Sequence, residues 1–529
     1  MRGFLRIQIL AVSLGAAVAP TVSAQDGRPK LVIMLAVDQL RGDLLDRYES
    51  AFTGGFRRLL DEGYRFTQAS HAHARTSTAP GHATLSTGVF PSRHGMVGNS
   101  WYQRIGREWT LSYAVSDPPK RILDFEAEPA LEGRSPMTML RDGLPDWIHA
   151  RDDRSRLVSI SKKDRAAIPM GGRATEHVYW LLPELGRFIT STHYMNRYPR
   201  WLNRFNSRVM PAIAEEEVWA TIVPEQFQSL ARPDAAVYEF DGIHSTFPHI
   251  SSEENDEEDE QLHNAWGFEQ SRVDAAVMAL AHTAIDELNL GQRREQDYLA
   301  ISLSATDRVG HNFGPFSQEQ LSNLIHLDRL LGDFFEYLDD EVGEGQWLVG
   351  MAGDHGVVTI PEAQVEMGTN PDAKRISDYQ RNAELAAALN DAVRDGGSPE
   401  EIAERLARMV EDRGLVAKAY THHELTRGEP ADSFAVLFRN SHYPGRAWGP
   451  LSRWGVEVRF GEGDLVGYAT GTNHETTYWY DRHVEMIFLG AGVAPGASDA
   501  SVYTVDFAPT LARLAGIPIP DDLDGRAIY

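Results

Sequence analysis

Short apolar runs alternate along the chain with longer stretches whose apolar residues recur at helical spacing. Runs of this length read as buried strands, and their alternation with helices is typical of an α/β protein whose parallel sheet is covered on both faces. Residues 317–338 have the clearest amphipathic pattern, with Ser317 suited to cap a helix. The predicted strands of the central sheet are residues 31–37, 157–161, 298–304, 347–353 and 486–489.

Two intervals interrupt this rhythm within residues 25–529, which otherwise read as one domain, and we interpret both as insertions. Residues 173–264 are rich in Trp, Tyr, Pro and Arg and include the acidic run 253–260. That run is typical of a solvated surface loop, and a structural calcium site is the alternative. Residues 366–455 are predicted to form a small α+β cap. Its predicted elements are helices over 376–394 and 398–413 and a strand over 433–438. Outside this cap, helices are predicted over 43–60, after the first strand, and over 265–290, before the strand at 298–304.

The first 24 residues have the pattern of a secretory signal peptide. Arg2 and Arg6 precede an apolar stretch over residues 7–19, and small residues at 22–24 suit a cleavage site. The stretch is too short for a typical membrane span, although an uncleaved anchor helix is the alternative. We therefore expect a periplasmic or secreted protein with no integral membrane segment after removal of the signal.

Composition narrows the possible chemistry. The 529 residues carry a formal net charge of −25, which argues against non-specific nucleic-acid binding. A local cluster of cations can still attract an anionic substrate into one cleft. Because the chain contains no cysteine, metal ligands must be His and carboxylate side chains, and a Cys nucleophile is excluded. We expect a monomer.

Carboxylates and imidazoles follow several of the predicted strands. The carboxyl ends of parallel strands meet at one edge of a sheet, where ligands bind in open α/β folds. Asp307 and His311 are four residues apart and can face the same way on one helical turn. Oxygen and nitrogen donors of this kind suit a zinc-type ion. The six donors, enough for two metals, are Asp38, Asp307, His311, Asp354, His355 and His474.

A candidate nucleophile precedes Pro80, which fits the first turn of a helix. Hydroxyl groups just before it lie at a helix N-terminus, where the dipole and free N–H groups favour an anion such as an alkoxide. Ser77 and Thr78 both qualify on these grounds, and a plain helix-capping hydroxyl is the alternative.

Lys163 and Arg165 form a candidate anion clamp after the strand over 157–161. In an extended segment, residues two apart project to the same side, so both cations can enter the cleft. The alternative is an exposed, charged strand end. Lys162 is adjacent but projects to the other side.

Thr78-Ala79-Pro80-Gly81-His82 resembles the Thr-x-Pro-x-His nucleophile segment of the alkaline phosphatase superfamily, specifically its threonine-nucleophile members. The resemblance implies an alkaline-phosphatase-like α/β core, with a mostly parallel central sheet flanked by helices and with inserted cap segments. Within that frame Thr78 is the nucleophile. The likeness continues through residues 38–41, 85–88, 91, 94–95, 98–102, 306–311, 352–356 and 471–474.

The resemblance also implies two Zn²⁺ sites and a phosphoryl clamp. Asp307, His311 and His474 would hold one ion. Asp38, Asp354, His355 and Thr78 would hold the other. Lys163 and Arg165 look like the Lys-x-Arg element of secreted threonine-type alkaline phosphatases, and Asn99 matches the amide that binds the same phosphoryl group.

These similarities predict hydrolysis of small phosphate monoesters through a phosphothreonine. A monoester dianion benefits most from two extra cations, and the related phosphodiesterase/nucleotide pyrophosphatase branch, the main alternative, typically lacks the Lys-x-Arg pair. A sulfatase fits less well, since its nucleophile is usually Cys or Ser and His82 stands where it has Arg. An inactive, metal-bearing binding module is a further alternative. His82, His94 and His483 are interpreted as structural, whereas Glu475 and Glu485 depart from the family pattern.

Overall fold

A nine-stranded sheet forms the centre of the computed structural model, which describes residues 28–123, 132–215, 218–251, 267 and 269–529. Five neighbouring strands run parallel, from His177–Leu182 to Trp347–Gly353, and antiparallel partners flank them. In spatial order the strands are Arg187–Ile189, His177–Leu182, Leu157–Ser161, Asp297–Leu303, Leu31–Val37, Trp347–Gly353, Met486–Gly490, Tyr64–Phe66 and Gly496–Ser498.

The register of the three middle strands brings their carboxyl ends level. Val37 lies opposite Leu303 on one side and Gly353 on the other. The residues that follow these three positions therefore emerge together at one edge of the sheet, as the sequence predicts.

The two faces of the sheet are both covered, which explains why its strands are continuously apolar. Odd-numbered residues of Leu31–Val37 pack in one cluster with helices Arg272–Leu288 and Gln318–Leu338. Even-numbered residues pack in a second cluster with helices Leu144–Arg151 and Phe507–Ala515. The prediction of a mostly parallel sheet flanked by helices is confirmed.

Most predicted helices are present. Gln318–Leu338 begins after Ser317, whose side chain accepts a hydrogen bond from the Gln320 amide as expected of a cap. Among the described residues, no helix is both long and apolar enough to cross a membrane. The α-helices are Leu44–Tyr48, Gly55–Glu62, Thr78–Thr87, Pro91–His94, Leu144–Arg151, Asp164–Gly171, Arg200–Arg208, Met210–Ala214, Arg272–Leu288, Ala305–Phe313, Gln318–Leu338, Pro361–Glu366, Asp378–Arg394, Pro399–Asp412, His422–Thr426, Ser433–Ser441, Trp479–Arg482 and Phe507–Ala515.

Smaller strand pairs lie outside the central sheet. Ser100–Ile105 and Glu108–Tyr113 form an antiparallel hairpin, called the 100–113 hairpin below. The other strands are Ala69–Ser70, Ser116–Arg121, Glu132–Arg134, Val218–Trp219, His249–Ile250, Arg375–Ile376, Lys418–Thr421, Arg446–Ala447, Val456–Arg459, Leu465–Val466 and Val502–Tyr503.

The interval 173–264 begins inside the central sheet, because it contributes strands His177–Leu182 and Arg187–Ile189. Short helices and the Val218–Trp219/His249–Ile250 strand pair follow. The predicted signal peptide (1–24) and the acidic run with its alternative calcium site (253–260) lie outside the described residues.

Residues 366–455, called the cap below, contain both predicted long helices, Asp378–Arg394 and Pro399–Asp412. The predicted strand over 433–438 is wrong, because these residues belong to helix Ser433–Ser441. The Asp432 carboxylate accepts a hydrogen bond from the Ala435 amide and caps this helix, outweighing the strand preference of its Phe and Val residues.

Candidate active site

A buried group of carboxylate and imidazole side chains sits at the carboxyl edge of the sheet. Asp38 directly follows strand Leu31–Val37, and Asp354 and His355 follow Trp347–Gly353. His355 Nε2 lies 3.4 Å from Asp38 Oδ1 and 3.4 Å from Asp354 Oδ2. Among the described residues, Asp38 Oδ1 and His355 Nε2 have no hydrogen-bond partner, and Asp354 Oδ2 has a polar contact at 3.1 Å with the His82 ring. Three buried donor atoms that face one another in this way form a cage that suits a metal cation.

Helix Ala305–Phe313 presents a second group beside the first. His311 Nε2 lies 3.2 Å from Asp307 Oδ1, one helical turn away, and His474 Nε2 lies 3.8 Å from the same oxygen. Donor atoms of Asp307, His355 and His474 all lie within 4.8 Å of one another, as do those of Asp38, Asp354 and His355. His355 belongs to both groups, so the structure brings the six predicted carboxylate and imidazole ligands into one continuous cluster, called the donor cluster below.

The tautomers of the three histidines suit metal binding. Each ring uses its Nδ1 atom to bond a main-chain carbonyl oxygen, at 2.6 to 3.0 Å. An Nδ1–H that donates to a carbonyl leaves the Nε2 lone pair free to coordinate, which is the usual arrangement of a ligating histidine. His311, His355 and His474 bond in this way to the carbonyls of Thr472, Gly356 and Thr76, respectively.

The charges in the donor cluster are strongly coupled. Burial, reinforced by Asp307 and Asp354, raises the pKa of Asp38 to about 6. Lys163 counteracts this effect, since its Nζ lies 2.6 Å from Asp38 Oδ2 and also pairs with Asp307. Burial opposes ionisation of Asp307 as well, but Lys163, His311 and His355 together outweigh it and hold the pKa of Asp307 well below its usual range. Burial and two neighbouring imidazoles keep the pKa of His474 far below its ordinary value, in the neutral form that binds metals.

Thr78, the predicted nucleophile, is the first residue of helix Thr78–Thr87, and Ser77 is the N-cap with an extended backbone. The predicted helix N-terminus before Pro80 is therefore confirmed. Thr78 lines a cavity of about 430 Å³ that also contacts Asp307, His311 and His474. The hydroxyl-bearing residue and the donor cluster thus share one opening.

The close packing of the Thr78–Thr87 helix depends on Gly81. A Cβ atom at this position would lie 2.2 Å from the main-chain oxygen of Asp354. The absence of a side chain lets the helix rest directly on the strand end that carries Asp354.

Gly81→Ala is therefore expected to lower the free energy of unfolding by about 1–3 kcal/mol, because the clash forces a backbone shift. The gain in helix propensity, roughly 1 kcal/mol, does not compensate for it. Chemical denaturation measures the loss, and activity should fall with it as Thr78 moves from Asp354. In Gly449→Ala, where an added Cβ meets no atom within 4 Å, neither quantity should change; equal effects at the two sites would contradict this account.

His82 links helix Thr78–Thr87 to the donor cluster, although the sequence predicts only a structural role for this residue. Its Nδ1 lies 2.8 Å from the Thr78 carbonyl oxygen and 3.1 Å from Asp354 Oδ2. On the other side, its Nε2 lies 2.8 Å from Ser302 Oγ. The four-residue spacing from Thr78 was the available signal that this ring faces the same site.

Gln39 contributes to the site although no local sequence pattern indicates it. Its main-chain N–H donates to Asp354 Oδ1 and its side-chain amide donates to Asp307 Oδ1, both at 2.9 Å. Its φ of +65° is uncommon for a residue with a side chain. Gln39 therefore ties together carboxylates from both halves of the donor cluster, and its only sequence signal was its position after Asp38.

Asn99 lies beside Thr78 at the base of the 100–113 hairpin. Its side-chain oxygen accepts a hydrogen bond of 2.9 Å from the Ala79 amide, and the residue lines the cavity. Because the oxygen is engaged in this way, the amide NH₂ group is the part of the side chain left to donate to a ligand.

Lys163 and Arg165 differ from the predicted extended arrangement. Lys163 is the N-cap of helix Asp164–Gly171, and its carbonyl accepts from the amides of the first turn. Arg165 lies in that turn and lines the cavity with a buried Nε that has no hydrogen-bond partner among the described residues. Lys163 therefore pairs with the carboxylates of Asp38 and Asp307, while Arg165 lines the opening at Thr78.

Both departures from the family pattern form ion pairs. Glu475 has a φ of +81° and lies 3.2 Å from the Arg75 guanidinium, so the residue after His474 is tied to the loop before Thr78. Glu485 is buried and receives two hydrogen bonds, of 2.8 and 3.0 Å, from Arg65.

The cap helps to hold the loop that leads to Thr78. The Ser441 hydroxyl accepts a hydrogen bond of 2.8 Å from the Ala74 amide, and the Asn440 side chain donates one of 2.7 Å to the Ala72 carbonyl. The position of the nucleophile therefore depends on residues from the cap as well as on the sheet.

Residues 32–448 match the model of the type I phosphodiesterase / nucleotide pyrophosphatase family, and the chain belongs to this family. Its similarity to alkaline phosphatases extends over nearly the whole chain. Alkaline phosphatase PhoV of Synechococcus elongatus is 29% identical, covering 99% of both chains. Alkaline phosphatase PafA of Elizabethkingia meningoseptica is 30% identical, covering 95% of this chain and 94% of PafA. The crystal structure of wild-type PafA has a TM-score of 0.83 at 28% identity, covering 95% of this chain and 98% of that one.

Proposed function

We propose that this protein is a metal-dependent alkaline phosphatase that hydrolyses small phosphate monoesters. The observation that carries the proposal is the shared opening of Thr78, at a helix N-terminus, and the buried donor cluster beneath it. The relatives named alkaline phosphatases, which match nearly the full length, support the same activity.

Two zinc ions fit the donor cluster, because carboxylate oxygens and imidazole nitrogens are usual zinc ligands. Two of these donor atoms, Asp38 Oδ1 and His355 Nε2, have no hydrogen-bond partner among the described residues. Asp307, His311 and His474 would hold one ion, while Asp38, Asp354, His355 and Thr78 would hold the other. Bound there, such ions would lower the pKa of a hydroxyl or water and offset the charge on the leaving oxygen.

The chain itself supplies the nucleophile and the groups that hold the phosphoryl oxygens. The Thr78 Oγ attacks phosphorus, the alcohol leaves, and a phosphothreonine forms; water then cleaves the new P–O bond and restores the hydroxyl. The helix N-terminus favours negative charge on Thr78. The Asn99 amide and the Arg165 guanidinium donate to the non-bridging oxygens, and Lys163 adds a point charge. His82, bonded to the Thr78 carbonyl, positions the first turn of this helix.

A substrate panel on purified, zinc-loaded protein tests the reaction class. We expect p-nitrophenyl phosphate to be hydrolysed far faster than bis-p-nitrophenyl phosphate or p-nitrophenyl sulfate, and a chelator to stop the reaction. Absence of turnover on every ester would favour the inactive binding module.

Lys163→Ala/Arg165→Ala is expected to lower kcat/KM for the monoester by about 10²–10³-fold, because a dianion loses two cationic partners. The diester, with one charge fewer, should lose much less. Steady-state kinetics on both esters measures the difference. Lys162→Ala is the matched control, since Lys162 pairs with Glu269 instead of the donor cluster. An equal loss on both esters would favour a phosphodiesterase or nucleotide pyrophosphatase.

We further propose that the protein is exported, because residues 1–24 have the pattern of a signal peptide. N-terminal sequencing of the mature protein should find a start just after Ala24, in the periplasmic or secreted fraction. Light scattering on that material should give the mass of a monomer.

A further inference from the structure

A second cavity, of about 830 Å³, lies between the 100–113 hairpin and the cap. The two parts are joined there by main-chain bonds, since Arg446–Ala447 pairs with the hairpin and the Arg104 amide donates to the Gly445 carbonyl at 2.8 Å. This cavity is larger than the 430 Å³ opening at Thr78. The proposed catalysis makes no use of it.

The lining of this cavity is strongly cationic, although the chain as a whole has a net charge of −25. Five guanidinium groups line it, and within the described part of the chain none of them forms a salt bridge with a carboxylate. Among the described lining residues, Glu400 is the single acidic one. The five residues are Arg104, Arg107, Arg427, Arg446 and Arg453. Arg446 is already engaged, since its guanidinium donates to the Thr138 carbonyl at 3.1 Å, so the other four are the groups left for a ligand.

Aromatic rings hold part of this cationic surface in place. The Arg453 guanidinium stacks 4.3 Å from the centre of the Tyr102 ring, and its buried Nε has no hydrogen-bond partner among the described residues. Arg104 lies 6.0 Å from the Trp109 ring. A stacked guanidinium keeps its N–H edge free to donate, so these groups are oriented before any ligand arrives.

The cavity is distinct from the proposed catalytic opening. Asn99 stands at the base of the hairpin, in the opening at Thr78, whereas Arg104 stands near the hairpin tip. A six-residue strand such as Ser100–Ile105 spans about 20 Å. One small phosphate ester cannot reach both places.

We propose that this cavity is a binding site for ligands that carry several closely spaced phosphate groups, such as a short linear polyphosphate. Guanidinium groups bind phosphate oxygens in a bidentate manner. Because a single exposed ion pair contributes little, useful affinity requires a ligand that contacts several of the arginines at once. A chain of phosphates meets this requirement, whereas inorganic phosphate does not.

Isothermal titration of the full-length, zinc-loaded Thr78→Ala protein with tripolyphosphate tests this site, with inorganic phosphate present to occupy the opening at Thr78. The alanine prevents consumption of the probe. We expect one binding event that weakens about tenfold with Arg427→Ala/Arg453→Ala and also weakens with added salt. Glu400→Gln, which removes the acidic lining residue, should tighten binding about twofold. Arg408→Ala should leave the affinity unchanged. Arg408 lies on helix Pro399–Asp412 together with Glu400, but it is exposed and pairs with Glu404.

Unchanged affinity in Arg427→Ala/Arg453→Ala, or full competition by equimolar inorganic phosphate, would overturn the proposal. Loss of affinity in Glu400→Gln would do the same. With Thr78 intact, the double arginine variant should hydrolyse p-nitrophenyl phosphate at the unaltered rate, which shows that it is folded. Failure of the proposed function would instead appear as absent turnover of that ester, while the titration result would stand.

Discussion

Thr78→Ala is expected to lower kcat for p-nitrophenyl phosphate by at least about 10⁴-fold, because it removes the attacking oxygen. Thr78→Ser keeps the hydroxyl and should retain measurable activity. Steady-state kinetics gives the rates, and mass spectrometry of acid-quenched enzyme should find phosphate on the peptide containing Thr78.

Ser77→Ala is the matched control for this experiment. Ser77 is the neighbouring hydroxyl, is equally buried, and its Oγ has no hydrogen-bond partner among the described residues. Its removal should leave the rate within a few-fold of the starting value and the phosphorylated peptide unchanged. If the two variants lost activity equally, or if phosphate were found on Ser77, the assignment of the nucleophile would be wrong.

Removal of bound metal is expected to abolish turnover, and added zinc should restore it. Without cations, the buried carboxylates of Asp38, Asp307 and Asp354 face one another with Lys163 as their nearby positive charge. Asp354→Asn keeps the size of the side chain but removes an anionic donor, so zinc affinity should fall by at least about 100-fold. Metal analysis after dialysis and competition with a coloured chelator measure this loss.

Asp328→Asn separates this effect from general destabilisation. Asp328 is also buried, but it accepts hydrogen bonds from the amides of Thr53, Gly54 and Phe56, away from the donor cluster. The variant should unfold more easily while it still retains two zinc ions per chain. Full zinc retention by Asp354→Asn would contradict the proposed ligand set.

The central sheet and the ends of its strands could be predicted from sequence because both depend on local pattern. Continuous apolar runs indicate strands buried on two faces, and a level register of parallel strands brings Asp38 and Asp354 together. Likewise, the Asp307–His311 pair follows from the helical repeat, and Pro80 indicates the start of the Thr78–Thr87 helix.

The details that the sequence did not reveal depend on contacts between distant segments or on competition between local preferences. Gln39 joins the donor cluster through Asp354, 315 residues away, and no local pattern indicates such a contact. The sequence predicts an extended segment for Lys163 and Arg165, but a helix begins one residue after Lys163 and includes Arg165. At residues 433–438, a capping aspartate decided between strand and helix.

The hydrogen bonds from Ser441 and Asn440 to the segment before Thr78 have a consequence for protein engineering. Truncation to a minimal phosphatase by deleting 366–455 would free the backbone that presents the reactive hydroxyl, so the shortened polypeptide should be folded at its sheet yet inert. If the cap were exchanged between homologues, the donor's segment equivalent to residues 72–74 would have to be exchanged with it, because the two segments are hydrogen-bonded to each other.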